Sequence, residues 1–213
     1  MFEVDEEGMM NARMKSALAG IGALAAAWVG WGLYVAYGTK RVPYTTVDEF
    51  DGIEIRRYPE LVAARTTAPD SNEAFRRLYG YITGRNLSAE EIEMTAPVAT
   101  RGEKIEMTAP VASRRAGDAV EMAFYLPSEY TFETAPRASE ADVTLDREEP
   151  RTLAVRSFSW YATEARVARN ERRLLKVLSE HGVEPGGTPF VMQYNDPWTP
   201  PFLRRNEVAV EIG

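Results

Sequence analysis

The chain has 213 residues, 45% hydrophobic and 27% charged, a composition that excludes wholesale disorder and fibrous repeats and leaves one compact domain with an appendage, or two small domains. A formal charge of −7 argues against a basic nucleic-acid-binding face, so nucleic acid is not expected as a partner. With no cysteine and one histidine, His181, there is no thiolate nucleophile, disulfide or iron–sulfur cluster, and no metal site of the protein's own is expected.

Residues 1–15 form a short polar N-terminus, and the 24 residues from Ser16 to Thr39 carry no charge. A helix of that length reaches about 36 Å, enough to cross the ~30 Å hydrocarbon core of a bilayer. Trp28, Trp31, Tyr34 and Tyr37 crowd its C-terminal half in the manner of an interfacial aromatic belt. Residues 16–39 are therefore expected to be a single-pass transmembrane anchor in contact with the lipid bilayer, with the N-terminus inside and the main domain outside. A cleaved signal peptide competes, with Ala36-Tyr37-Gly38 as a cleavage site, although its apolar region usually runs only about 7–15 residues. Gly22, Ala26 and Gly30 make a stripe that would let two anchors pack, or reflect the small residues common in membrane helices.

Residues 42–213 are long enough for a sizeable core. Val47, Ile53 and Ile55 open a region of short alternating runs around an Asp51-Gly52 turn, and Leu61–Thr67 reads as a second strand. A helix is predicted from Asn72 to Thr83, capped by Ser71 and ended by Gly84, with Ala74, Phe75, Leu78, Tyr79 and Ile82 on one face and Arg76 and Arg77 off it. A second helix is predicted from Thr163 to Glu180, ended by Gly182. Strands are expected at Met122–Leu126, Val143–Leu145, Leu153–Phe158, Phe190–Tyr194 and Glu207–Ile212, the last half-buried, with Val208, Val210 and Ile212 alternating with Glu207, Ala209 and Glu211. Each helix stands between strands, so the domain reads as two similar strand–helix–strand halves: an α+β antiparallel sheet with two helices packed on it.

The strongest internal signal is a duplication. Ile92-Glu93-Met94-Thr95-Ala96-Pro97-Val98-Ala99-Thr100 recurs as Ile105-Glu106-Met107-Thr108-Ala109-Pro110-Val111-Ala112-Ser113, eight of nine residues being identical. Two matched extended segments joined by Arg101-Gly102-Glu103-Lys104 suggest a hairpin whose prolines sit at edges, bulges or strand ends. Met94 and Met107 could line an adaptable apolar surface or be plain core.

These repeats, with Phe50-Asp51-Gly52-Ile53-Glu54-Ile55-Arg56-Arg57-Tyr58, Leu126-Pro127-Ser128-Glu129-Tyr130 and the ending Trp198-Thr199-Pro200-Pro201-Phe202-Leu203-Arg204-Arg205-Asn206-Glu207-Val208, closely resemble the SOUL heme-binding protein family over Tyr44 to Ile212. The resemblance implies an antiparallel sheet curved toward a barrel with two helices and pseudo-two-fold β-α-β halves, similar to bacterial effector-binding domains. It further implies heme or another tetrapyrrole as ligand, held in an apolar groove near the first helix and the loop before the last strand. On this chain those positions are Phe75, Leu78, Tyr79, Ile82 and Trp198, with Met94 and Met107 nearby and Arg76 and Arg77 as donors to the propionates. Core packing is the competing reading for Phe75, Leu78 and Ile82, a solvated helix face for the two arginines, and a structural wedge between prolines for Trp198. His181 precedes Gly182 at a helix end and is read as a cap rather than an iron ligand.

The expected function is a membrane-anchored, non-catalytic tetrapyrrole-binding or carrier protein. The alternatives are a sensor, chaperone or carrier of another small amphipathic ligand, and an enzyme using Glu93 or Glu106 as base. No GxSxG, GxGxxG, P-loop or HExxH pattern supports the enzyme.

Overall fold

The computed structural model describes residues 6–87 and 102–213, with side chains over 18–34, 38–87 and 102–213. Helix α1 spans Glu6–Gly38. The domain that follows contains β1 (Thr45–Phe50), β2 (Ile53–Tyr58), β3 (Leu61–Ala68), α2 (Ser71–Ile82), β4 (Asn86–Leu87), β5 (Val111–Ala116), β6 (Ala119–Tyr125), β7 (Arg137–Ala138), β8 (Thr144–Glu148), β9 (Arg151–Phe158), α3 (Glu164–Glu180), β10 (Phe190–Gln193) and β11 (Asn206–Ile212).

Nine of the strands form one sheet in the order β1-β2-β9-β11-β10-β5-β6-β3-β8, and β4 pairs with β7 beside it. Every pairing in the large sheet is antiparallel, and the sheet curls into a half-barrel. The β1–β2 hairpin turns on Asp51 and Gly52, both at positive φ (48° and 72°). That is the geometry of a two-residue hairpin loop, for which Asp-Gly is well suited.

Both domain helices pack on one face of the sheet. Leu78, Tyr81 and Ile82 of α2 pack with Val62, Ala64, Met122 and Phe124. Leu174, Val177 and Leu178 of α3 pack with Ile53, Ile55, Ala154, Val208 and Val210. The strand period of two then sends Ala63, Ala112, Ala123, Val155, Met192 and Ala209 to the opposite, concave face, where they meet Tyr58, Tyr125 and Tyr194. The last strand is thus buried on both faces from Asn206 to Val210, not half-buried as its alternation suggested. Glu207, expected outward, is completely buried.

Helix α2 begins one residue earlier than predicted, and its cap is Asp70 rather than Ser71. The Asp70 carboxylate accepts from the backbone N–H groups of Asn72 and Glu73, both at 2.9 Å. A side chain one residue outside the first turn reaches those free donors. His181 is the C-cap of α3, its own N–H donating to the carbonyls of Val177 and Leu178. Its imidazole turns away from the helix carbonyls, 2.9 Å from Asp51 Oδ2 and against Phe50.

The first repeat, with Glu93 and Met94, lies outside the described residues. The second is only partly a strand: β5 starts at Val111, and residues 102–110 before it are irregular. Ile105 N–H donates to the Ile82 carbonyl at 2.8 Å, while Val42 and Ala109 bond across a short bridge.

The expected membrane-crossing helix is corrected. Among the described residues no helix is long and apolar enough to cross a membrane. The expected span, residues 16–39, also runs beyond the residues whose side chains are described, and its second half lies along the domain. Trp28 Nε1 donates to the Trp198 carbonyl at 2.8 Å. Gly32 is buried against the next residues of that loop, and a Cβ there would come within 2.5 Å of Pro200 Cδ. Within the chain, Gly22 and Gly30 face open space, a Cβ at either meeting nothing within 4 Å, and the close approach is at Gly32.

Candidate functional site

The residues expected to hold a ligand divide between α2's exposed and buried faces. Phe75 and Tyr79, one turn apart, are 39% and 49% exposed. Their rings stack at 5.8 Å with 14° between planes, and the edge of Phe75 meets Phe124 beneath. Leu78 and Ile82 point into the core and cannot touch a ligand on that surface. Arg76 forks onto Glu73 with bonds of 2.7–3.0 Å. Arg77 donates to the same carboxylate at 2.9 Å and to the Thr67 carbonyl at 3.1 Å. The two guanidinium groups hold the Glu73 carboxyl below the usual carboxylate range. The surface is thus an aromatic shelf beside a cationic edge already fixed in place.

Met107 is exposed in the irregular residues 102–110 that precede β5. Trp198 sits in the β10–β11 loop and is engaged by α1. Met94 lies outside the described residues. Among the described residues there is no group of three or more metal-ligating side chains. His181 belongs to the α3 half of the sheet, away from the shelf.

The concave face carries chemistry that no local pattern exposed. Its first cluster centres on Glu207, whose carboxylate accepts five hydrogen bonds: two from Arg56 (2.8 and 3.0 Å), one each from Arg205 (2.8 Å), Tyr194 (2.6 Å) and Ser157 (3.1 Å). Burial alone would raise this carboxyl's pKa. The guanidinium groups of Arg56 and Arg205 outweigh it and hold the group below the ordinary range. Arg56 also bonds Glu54 and lies 4.3 Å from the centre of the Tyr44 ring. The same arrangement pushes the Tyr194 hydroxyl well above its ordinary pKa, chiefly by burial and then by Glu207.

The second cluster centres on Arg65, which donates to Asp146 (2.7 Å), Glu121 (2.6 Å) and Glu148 (2.6 Å). Arg114 forks onto Glu121, and Arg151 pairs with Glu148 and donates to the Tyr125 hydroxyl at 3.0 Å. Over this cluster opens a cavity of about 690 Å³ with Tyr125, Phe132 and Phe190 among its walls. Buried beside it, Arg151 Nε finds no acceptor among the described residues. Arg56 and Glu207 stand 151 positions apart, and Arg65 and Glu148 83. Inward strand positions occupied by Arg and Glu were the signal available in the sequence; their pairing was not.

A family model described as "SOUL heme-binding protein" matches residues 39–211. The chain is similar to Heme-binding protein 2 of Homo sapiens, 30% identical over 132 residues that cover 59% of this chain and 60% of that protein. To Heme-binding protein 2 of Mus musculus it is 31% identical over 148 residues, covering 64% and 67%. The chain thus spans about 60% of the length of the human relative it matches. Among solved structures, a hydrolase from Listeria innocua superposes with a TM-score of 0.50 at 12% identity, over 78% of this chain and 94% of that one. The EcmrR C-terminal domain does so with a TM-score of 0.50 at 11% identity, over 80% and 98%. At such identities these two likenesses concern the fold alone.

Proposed function

The chain belongs to the SOUL heme-binding protein family, and from that premise we propose that it binds heme or a related tetrapyrrole on the exposed face of α2, without a catalytic step. The observation that carries this reading is the uncovered stack of Phe75 on Tyr79. Large aromatic rings left in water favour a flat apolar partner, at about 25 cal/mol per Å² removed from solvent plus stacking. Arg76, exposed at the same edge and oriented by Glu73, is the group for a propionate. Such a complex holds the macrocycle by its faces and carboxylates.

Hemin titration of the full chain, followed by the Soret band against an unrelated control protein, tests this. Phe75→Ala and Tyr79→Ala should each weaken binding roughly two- to ten-fold, the worth of one aromatic contact. His181→Ala should leave the band unchanged. Affinity unchanged from the parent chain in both aromatic variants, or binding by the parent no tighter than to the control, would remove the shelf as the site.

The concave cavity favours a second reading, a sensor or carrier of another small amphipathic ligand. Its volume falls within the roughly 300–1,000 Å³ of ligand pockets, and the partly exposed Arg65 lines it together with Tyr125, Phe132 and Phe190. Phe132→Ala and Phe190→Ala should then alter ligand binding while Phe75→Ala does not.

We propose also that α1 tethers the domain to a lipid bilayer. Leu18, Ile21, Leu24, Leu33 and Tyr34 are exposed on it, and apolar side chains uncovered at several positions around a helix favour an apolar surrounding. Co-sedimentation of the full chain with phosphatidylcholine vesicles checks the tether, and recovery of all the protein in the supernatant would refute it.

A further inference from the structure

Tryptophan is on average a well-buried residue. This chain has four, Trp28, Trp31, Trp160 and Trp198, and all four are between 48% and 76% exposed. At least three of them gather at one place. Trp28 bonds the Trp198 carbonyl, and Trp160 N–H donates to the Pro201 carbonyl of the same loop at 2.9 Å. Trp31 is one helical turn from Trp28 on α1, and Tyr161 and Phe202 add two more exposed rings beside Trp160 and Trp198.

The rings are presented on a stiff frame. Asp196 Oδ1 accepts from the N–H groups of Trp198 and Thr199 at 2.7 and 2.8 Å. Arg204 binds the Thr199 carbonyl at 2.9 Å and the Pro197 carbonyl, closing the loop around Pro200 and Pro201. Trp160 sits at φ +73°, a left-handed conformation unusual for a bulky side chain, and its carbonyl accepts from Asn206 Nδ2 at 2.7 Å. A strained, multiply bonded backbone that holds large rings out in water points to a use for those rings outside the chain.

We infer that the 198–202 loop and the Trp160–Tyr161 corner are a lipid-docking rim, so that the domain rests against the bilayer beside α1 rather than hanging free of it. This rests on the reading of α1 as a lipid tether. Two features select a bilayer as the occupant. The rim is continuous with the exposed apolar surface of α1 through the Trp28–Trp198 and Gly32–Pro200 contacts. Its rings are mostly Trp and Tyr, whose amphipathic bodies favour the headgroup level, and guanidinium groups flank them. Arg166 donates to the Tyr161 carbonyl at 2.6 Å and Arg204 lies 4.5 Å from the centre of its ring, cations placed to meet lipid phosphates.

The test is depth-resolved quenching in the full chain. Trp28→Phe, Trp31→Phe and Trp160→Phe together leave Trp198 as the sole emitter. A companion carrying Trp160→Phe and Trp198→Phe reports α1 alone. With phosphatidylcholine vesicles, with and without phosphatidylserine, the Trp198 emission should shift to the blue. Lipids brominated near the headgroup should quench it more than lipids brominated deep in the chains. Quenching of the α1 reporter with an unchanged Trp198 spectrum would overturn the rim while the tether stands. Silence of both would overturn rim and tether together. Protection of Trp198 only in step with dimer formation in lipid-free solution would assign the rim to a second copy of the chain and equally overturn the inference.

Discussion

Arg56 and Arg65 stand on the same concave face of one sheet, each held by carboxylates from neighbouring strands, and they meet opposite fates. Arg56 is fully buried, and its main partner Glu207 is equally buried and saturated by five donors. Arg65 keeps 29% of its side chain exposed, and its partners line an open cavity. The difference arises at the edges. Over Arg56 close Tyr44 and Tyr58, with Tyr194 sealing Glu207. Above Arg65 the curl of the sheet leaves space. Burial turns one ion cluster into a part of the fold, while access leaves the other free to meet a ligand.

The largest expected effect belongs to the sealed cluster. Glu207→Ala strips the fully buried Arg56 of its main partner and should cost about 3–5 kcal/mol in urea unfolding, the usual penalty for a buried charge left without its partner. Arg65→Ala leaves Glu121 paired with Arg114 and Glu148 with Arg151, and should cost only about 1–2 kcal/mol. Equal losses would erase the distinction between the clusters.

Acid should read out the same contrast. Glu207 has a folded-state pKa below its unfolded value of about 4.3, so its contribution is complete above the unfolded value and is lost as the pH falls through the folded one. Glu121 is lowered too, by Arg114 and Arg65 against the opposing effect of burial. Stability measured downward from neutral pH should therefore decline on the acid side of pH 4.3, and Glu207→Gln should flatten that decline more than Glu121→Gln does. The smallest effect sets the baseline. Arg76 and Glu73 form a well-aligned but exposed pair on α2, and Arg76→Ala should leave the urea midpoint essentially unchanged. It should still weaken hemin binding if Arg76 meets a propionate. A large stability loss there would mean that exposure is a poor guide to these clusters.

Much of the fold was legible in the residues. Periodicity placed α2 and α3 to within about a residue, the Asp51-Gly52 turn marked the first hairpin, and the family's motifs agreed with a curved antiparallel sheet carrying two helices. The candidate site was legible in part. Helical spacing put Phe75, Leu78, Tyr79 and Ile82 on one broad face, but only packing against Val62 and Phe124 decided that Leu78 and Ile82 go inside while Phe75 and Tyr79 stay out. The concave cavity was invisible, because its walls come from β3, β5, β6, β8 and the start of β10, strands far apart along the chain.

Local order thus follows from the amino acids alone, since hydrophobic period, turn chemistry and helix termini act over a few residues. What lies on the far side of each strand does not. Glu207 looks outward in any reading of β11, because alternation tells which residues share a face and never whether that face meets water. Closure of the sheet and the arrival of Arg56 from the other end of the domain made it interior. The same holds for α1: its apolar run could be read directly, while its contact with the Trp198 loop depends on a fit at Gly32 that only the assembled chain creates.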